Sequence, residues 1–408
     1  MSNLPRELIN LFFEEISLSD AKRCILVCKQ WQPSAELRIY RCAVTGRPES
    51  ASVLDLTLAR KPYLCSFIHG LSLVSGYPFS DILLKFIPAH LPRMDQLHSL
   101  SLLNMASFEW RVLVKLLPGL IRLKSVSIHT RAPITASLHH EMLKSLGLLP
   151  SLRDLGYSSP VVGPAPERAF NALNSTSHIS DLMGKDVDIG LRPKIHCLNL
   201  WNTRDSPHSN FDSHVDYGVL FHPKCPIDTS QLRKVIIGDY HCLFLVIPHV
   251  SEFLVDLCCF SAANEMPTIE YSLFYNLESK WDLLRLQRIH LHVEFDAAIL
   301  FACLQNAPSL ETIIFIGTHW QDPIQNAQTT NTILRKADKH LASTSAFPSL
   351  SQIDVLCSND SGIAGQEAQL LLPLFSNLQH RSPGKVLFQF RRVEEYSDQR
   401  KYHSFCDS

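Results

Sequence analysis

His208, His214 and His222 share one stretch of the chain with Asp205, Asp212 and Asp216. Imidazole nitrogens and carboxylate oxygens are zinc ligands, and a set of them around one ion can leave a position open for an activated water. Their spacing matches no zinc finger and no H-E-x-x-H helix, in which two rings four residues apart share a face. A solvated loop without metal is expected there. Cys24-x-x-x-Cys28 sets two thiols on one helical face, yet no second ligand pair follows at zinc-site spacing. Packed core thiols are the expectation. His196-Cys197 and His241-Cys242 put a base beside a nucleophile in sequence, but neighbouring strand residues point to opposite faces and cannot share the hydrogen bond that such a pair needs. The chain has no Gly-x-Gly-x-x-Gly, no Walker loop and no Gly-x-Ser-x-Gly elbow, and only 15 glycines. A protein without catalytic residues, metal or cofactor is expected.

The elements that would position any site must come from 408 residues that are 46% hydrophobic and 19% charged, enough for one large core or several smaller ones. The formal net charge is -1, without the basic excess that drives phosphate-backbone binding, so nucleic acid is not an expected partner. The apolar run Cys242 to Phe260 approaches the length of a membrane span, but it contains Glu252 and Asp256. Each would cost roughly 2.5 to 3.5 kcal/mol at mid-bilayer, so the run is read as buried structure and no membrane is expected. Arg6, Glu7, Glu14 and Glu15 interrupt the apolar region that a secretory leader needs. Twelve scattered cysteines suit reduced thiols packed as small hydrophobes. Cytoplasm and/or nucleus follows as the expected address.

Near the N-terminus, Pro5 and Glu7 suit a helix start. Leu4, Leu8, Ile9, Leu11, Phe12, Phe13 and Ile16 then cover an arc of roughly 200°, about twice the stripe a helix needs against one core. Half of that arc needs another cover, either the rest of this chain or a partner. Ser17, Ser19 and Asp20 announce a second helix running to about Trp31, and Pro33 a third, Gln32 to Arg41. Three short helices in about 40 residues are too small a unit to be stable unaided.

Leu4-Pro5-x-Glu7-Leu8-Ile9, Phe12-Phe13, Leu18-x-Asp20, Val27-Cys28-Lys29-x-Trp31 and Leu37-x-x-Tyr40-Arg41 closely resemble the F-box in order and spacing. The resemblance implies a three-helix module that docks on the Skp-type adaptor of cullin-RING ubiquitin ligases. Carried over position by position, it would set Leu4, Pro5, Leu8, Ile9, Val27, Cys28, Lys29 and Trp31 at or just beneath that contact. Two positions depart: Ala21 stands where the family usually has leucine after the aspartate, and Leu8 replaces the more common isoleucine.

Beyond about residue 60 a pattern, apolar-x-x-apolar-x-apolar, recurs ten times, its last part alternating as a strand does. Its middle positions are Leu71, Leu100, Val126, Leu155, Leu198, Val235, Leu257, Ile289, Ile313 and Ile353, 22 to 43 residues apart. Three copies open with Pro-Ser-Leu, and amphipathic helical stretches lie between copies, as at Glu109 to Leu117, Glu141 to Leu149, Ala297 to Gln305 and Gln366 to Phe375. One strand and one helix per unit is the leucine-rich-repeat plan, in which neighbours bury what no unit buries alone. Spacings beyond the regular repeat length imply insertions, the longest at Ser158 to Lys194 and Asn202 to Gln231. This part resembles the leucine-rich-repeat-like substrate domains of many F-box proteins, including large families in mushroom-forming fungi.

The expected fold is therefore α/β: a three-helix F-box at 1–45, a linker at 46–60, an irregular leucine-rich-repeat-like solenoid with one parallel strand per repeat at 61–392, and a polar tail at 393–408. Alternate strand residues share a face, so Ser125, Ser127, His129, Lys234, Arg288, His290, His292, Gln352 and Asp354 would line an inner surface. Ser127, His129, Lys234, Arg288, His290, His292 and Asp354 are the candidate substrate contacts, against an ordinary wet surface or contact through the insertions. The expected function is a non-catalytic substrate receptor of an SCF-type ubiquitin ligase. It would bind a Skp-type adaptor, through it a cullin, and a protein target of unknown identity. The alternative is a repeat scaffold whose helical unit only caps the repeats.

Overall fold

The computed structural model describes residues 4–45, 48–74, 80–105, 107–130, 136–158, 192–200, 220–238, 240–259, 281–292, 300–301, 303–316, 334–335, 337–342, 347–357, 372–381 and 386–392. The chain divides into two units, Met1–Ile195 with Asp205–Asp228, and His196–Arg204 with Thr229–Ser408.

The first unit opens with three helices, α1 (Arg6–Glu15), α2 (Leu18–Cys24) and α3 (Gln32–Tyr40). Ser17 caps α2: its hydroxyl accepts from the Asp20 amide at 3.1 Å and donates to the Asp20 carboxylate at 2.7 Å. Residues 25–31 form turns, so the second helix stops at Cys24 and does not reach Trp31 as expected. Strand β1 (Cys42–Thr45) follows α3 directly, and helix α4 (Pro48–Arg60) occupies most of the stretch read as a linker. The repeats proper then alternate strand and helix. They comprise β2 (Gly70–Val74), α5 (Ser80–His90), β3 (Ser99–Met105), α6 (Ser107–Leu116), β4 (Ser125–Thr130), α7 (Ala136–Gly147) and β5 (Asp154–Ser158).

Strands β1 to β5 pair in chain order, all parallel, with Ala43, Leu71, Leu100, Val126 and Leu155 side by side. These middle positions of the repeat are buried, and so are Leu83, Phe86, Ile87, Trp110, Leu113, Met142, Leu143 and Leu146 on the helices. Successive helices α4 to α7 pack on one another. Parallel strands need a crossover between them, and each helix is that crossover.

Two backbone devices recur. The first apolar residue of a repeat closes a turn onto the carbonyl three residues earlier, as with Leu97 to Met94 (3.1 Å), Leu123 to Leu120 (3.0 Å) and Leu152 to Leu149 (3.2 Å). The next residue then offers one carbonyl to two successive amides of the following repeat. Arg41 accepts from His69 and Gly70, His69 from His98 and Ser99, His98 from Lys124 and Ser125, and Lys124 from Arg153 and Asp154, all at 2.8–3.0 Å. Each strand is thus started in register before its own ladder begins.

The second unit repeats the plan with β6 (Cys197–Leu200), β7 (Lys234–Ile237), helix α8 (Tyr240–Val250), β8 (Asp256–Cys259), β10 (Arg288–His292), β12 (Thr312–Ile316), β13 (Gln352–Cys357), helix α9 (Ser376–Arg381) and β14 (Leu387–Arg392). The strands pair in that order, all parallel, and Leu198, Val235, Leu257, Ile289, Ile313, Ile353 and Phe388 form the central row. A separate short pair joins β9 (Trp281–Asp282) and β11 (Leu304–Asn306). All ten expected repeat strands are present, with β1 and β14 added at the two chain ends of the series. The apolar run Cys242 to Phe260 divides between α8 and β8, and no described helix is long and apolar enough to cross a membrane. The two longest insertions lie mostly, and the tail at 393–408 wholly, outside the described residues.

Candidate functional site

The apolar arc of α1 splits into two faces. At about 100° per residue, Ile9, Phe13 and Ile16 fall on one side, where Ile9 and Phe13 are buried with Ala21 and Ala35, and Ile16, Cys24, Ile25, Trp31 and Ile39 pack against them. Leu8, Leu11 and Phe12 fall on the other, and they stay 52%, 58% and 48% exposed. Leu4 and Leu18 are about as open, and Val27 and Leu26 in the turn after α2 are more so. Among the described residues nothing covers this face. Trp31 is half-buried and bridges the two sides, its ring 5.8 Å from Phe12 and 6.0 Å from Phe13. Gln30 donates to the Leu4 carbonyl at 3.3 Å, which ties the start of α1 to the turn carrying Val27, Cys28 and Lys29.

Of the eight residues carried over from the F-box resemblance, Leu4, Pro5, Leu8, Val27, Cys28 and Lys29 are exposed, Trp31 is half-buried and Ile9 is core. Cys28 was expected as a packed thiol; it is exposed because α2 ends four residues before it. Leu11, Phe12, Leu18 and Leu26 belong to the same open surface and were not among the candidates. The first two could have been found from their three- and four-residue spacing to Leu8.

This helical unit is fastened to the repeats. Glu36, buried on α3, accepts from Gln32 (3.0 Å), from the Lys61 ammonium (2.9 Å) and from the Tyr63 hydroxyl (2.9 Å) in the turn after α4. Burial alone would raise the Glu36 carboxyl, but these bonds and the Lys61 charge outweigh it and hold the group below the ordinary carboxylate range. The same contacts raise Lys61, and Tyr63 is raised by burial and by Glu36. Within the unit, Ser34 donates to Asn10 at 2.6 Å and Arg38 to the Ile16 carbonyl at 3.3 Å.

Within each unit the strand positions expected to line an open surface share a face, and several of them are closed off. Ser127, His290 and Asp354 are buried, Ser127, for one, only 3% exposed; His129 and Lys234 are half-buried, and Arg288 is exposed. The His292 side chain lies outside the described residues. Ser127 and His129 are 3.0 Å apart through Oγ and Nε2, and burial pushes the His129 imidazole down to about 4, so it is neutral at physiological pH. A Cβ on Gly156 would come within 2.6 Å of the Ser127 hydroxyl, which explains why glycine faces that serine. Arg288 is held by Asp256 through two bonds of 2.6 and 2.8 Å, and Gln352 donates to Asp354 at 2.7 Å. In the second unit His290 and Asp354 are closed off for a simple reason. One row of paired positions reads Ile236, Cys258, His290, Ile314, Asp354, so apolar neighbours bury the polar residues among them.

The sequence features that suggested chemistry are dispersed. His208, His214 and the aspartates beside them lie outside the described residues, while the His222 ring accepts from the Lys224 amide at 3.2 Å. His241 and Cys242 sit in α8, not on a strand as expected, because the repeat's strand is already supplied by β7. Among the described residues no three His, Cys, Asp or Glu side chains gather as a metal set, and the nine cysteines whose side chains are described are free thiols.

No family model matches this chain, and no curated protein matches it. Among solved structures it is similar to one described as "Crystal structure of Rad7 and Elc1 complex in yeast", with 15% identity over 86% of this chain and 88% of that one and a TM-score of 0.34. Similarity at that level carries nothing about function, and the F-box resemblance rests on the residues quoted for it.

Proposed function

We propose that this chain is the substrate-recognition subunit of an SCF-type ubiquitin ligase. The helical unit of residues 4–45 is the F-box that holds the Skp-type adaptor, and through it a cullin, while the repeats hold a protein target. The observation that carries this reading is the exposed apolar face of Leu4, Leu8, Leu11, Phe12, Leu26 and Val27. Leu4, Leu8 and Val27 among them are positions that the F-box resemblance assigns to the adaptor, and Leu11, Phe12 and Leu26 extend the patch. Each large apolar side chain is worth about 1.5 to 3 kcal/mol when fully buried. Closing the exposed half of six therefore offers several kcal/mol to a partner. A cluster of that kind, framed by charged Lys29 and Glu7, is an interaction surface by composition.

In this reading the chain is not an enzyme and takes no cofactor. It raises the effective concentration of a target beside the conjugating machinery, which supplies the transfer chemistry. It works in the cytoplasm, the nucleus or both, where thiols stay reduced. The second reading, a scaffold whose helical unit only caps the repeats, draws on the Glu36, Lys61 and Tyr63 cluster, which joins α3 to the first turn of the repeats.

The test is capture of a purified Skp-type adaptor by the full chain and by its Leu4→Ala, Pro5→Ala double variant, with thermal melting of both. Loss of capture at an unchanged melting temperature supports the ligase reading. Capture that survives the double substitution, or no capture by the unaltered chain, leaves the scaffold.

A further inference from the structure

We infer that Arg41, His69, His98, Lys124 and Arg153 form a docking strip for an acidic peptide segment of a protein partner. These five residues hold the same place in five consecutive strand starts, and the carbonyls of the first four accept the amide pairs of the strand that follows. Neighbouring parallel strands lie about 4.8 Å apart, so the backbone fixes a column of basic side chains at that interval. Lys, Arg and His number 38 and 19 in 408 residues, about one residue in seven, yet they fill every place in this column. In the second unit the corresponding carbonyls belong to His196, Arg233, Val255, Gln287, Glu311 and Ser351, a mixed series. The column is thus a property of one set of repeats and not of the fold.

The side chains bear this out. Arg41, Lys124 and Arg153 are exposed, and His69 and His98 half-buried with their rings 5.4 Å apart. Burial first, then Arg41 and His98, push the His69 imidazole down, as like charges crowded together must. Arg41 is 3.5 Å from Glu14 in an exposed pair. Among the described residues Lys124 and Arg153 have no side-chain hydrogen bond or ion pair, and exposed Asp154 is the acidic neighbour in the next column. Between Cys42 and Val44 at one end and Asp154 at the other, that next column and the following one on the same face carry small residues: Gly70 and Ser72, Ser99 and Ser101, Ser125 and Ser127, then Gly156. A backbone can approach the sheet over such a floor while its carboxylates reach the basic edge. The net charge of -1 argues against nucleic acid, which needs a broad basic field. An acidic peptide needs only a local strip.

This deepens the target-holding half of the function proposed above and is independent of its adaptor half, so it is tested without adaptor. The full chain is titrated into a fluorescein-labelled glutamate-rich peptide, its glutamine counterpart and a short thymidine oligonucleotide, at low and physiological salt. The expected result is binding of the glutamate peptide alone, weakened by salt. The Lys124→Glu, Arg153→Glu variant should lower that affinity at least about tenfold, while Lys115→Glu on the exposed side of α6 leaves it unchanged. Should charge reversal perturb the melting temperature, the Lys124→Gln, Arg153→Gln variant replaces it, with about a threefold loss expected. Affinity that ignores these substitutions, equal binding of the oligonucleotide, or no binding of the glutamate peptide overturns the proposal.

Discussion

Leu8 on α1 and Leu100 on β3 are the same residue type, each in a periodic apolar series, and their fates differ: Leu8 is 52% exposed and Leu100 1%. The repeat strand has a neighbour on each side, Leu71 and Val126, and α-helices behind it, so its apolar row is completed by the next unit. In the helical unit the other two helices cover the Ile9 and Phe13 side of α1, and among the described residues the opposite face stays open. A series of stacked units closes its core by repetition. A single small unit can bury one stripe, and any second stripe is left for a partner. The apolar excess of α1 is therefore informative in a way that the greater apolar content of the strands is not.

The comparison breaks most clearly at the strand. Leu100→Ala should cost about 2 to 5 kcal/mol, read as a lowered urea midpoint, because it opens a cavity between two strands that cannot close around it. A loss under about 1 kcal/mol would mean that the row is not a shared core. The junction comes next. Glu36→Gln should cost about 1 kcal/mol, the exposure of Lys61 limiting the value of the charge. Its pH signature is sharper than its size. A carboxyl lowered on folding stabilises above its unfolded pKa and loses that contribution as pH falls through the lowered folded value. Lys61 and Tyr63, both raised, contribute below their unfolded values and lose it as pH rises through the folded ones. Stability measured against pH should therefore fall at both ends, and Glu36→Gln should flatten both limbs. The smallest effect belongs to the open face: Leu8→Ala should change stability by less than about 0.5 kcal/mol. A cost of 2 kcal/mol there would show that the face is covered after all.

The repeat strands were legible because each middle position is a large aliphatic residue with another apolar residue two places on. The strands missed from sequence lack that signal. In β1 the pattern is Tyr40, Ala43, Thr45, small and polar, with Thr45 buried by donating to the Ser72 carbonyl at 3.2 Å. In β14 the first apolar place holds Lys385. The helix over Pro48–Arg60 was hidden behind Pro48, Glu49 and Ser50, although Ala51 and Leu58, two turns apart, are its buried contacts. Of the site, the open side of α1 could be read from the width of its arc, since no short helix can bury 200° by itself. The burial of His290 and Asp354 could not. It depends on which residues stand beside them on neighbouring strands, and strand pairing across spacings of 22 to 43 residues is not written in either segment alone. The basic column was hidden for the same reason, its members being scattered singly until the strands align them.

The shared carbonyl at each strand start has one more consequence. Because every strand is set by two amides clamped to the preceding repeat, the stretch between clamps is free to differ in length without turning the strand over or sliding its faces. The distance between repeats varies almost twofold along this chain, and the central row stays aligned throughout each unit. An added loop is therefore an ornament on a fixed ruler. Such a chain can acquire or shed whole segments between its strands while every residue already facing a partner keeps its place.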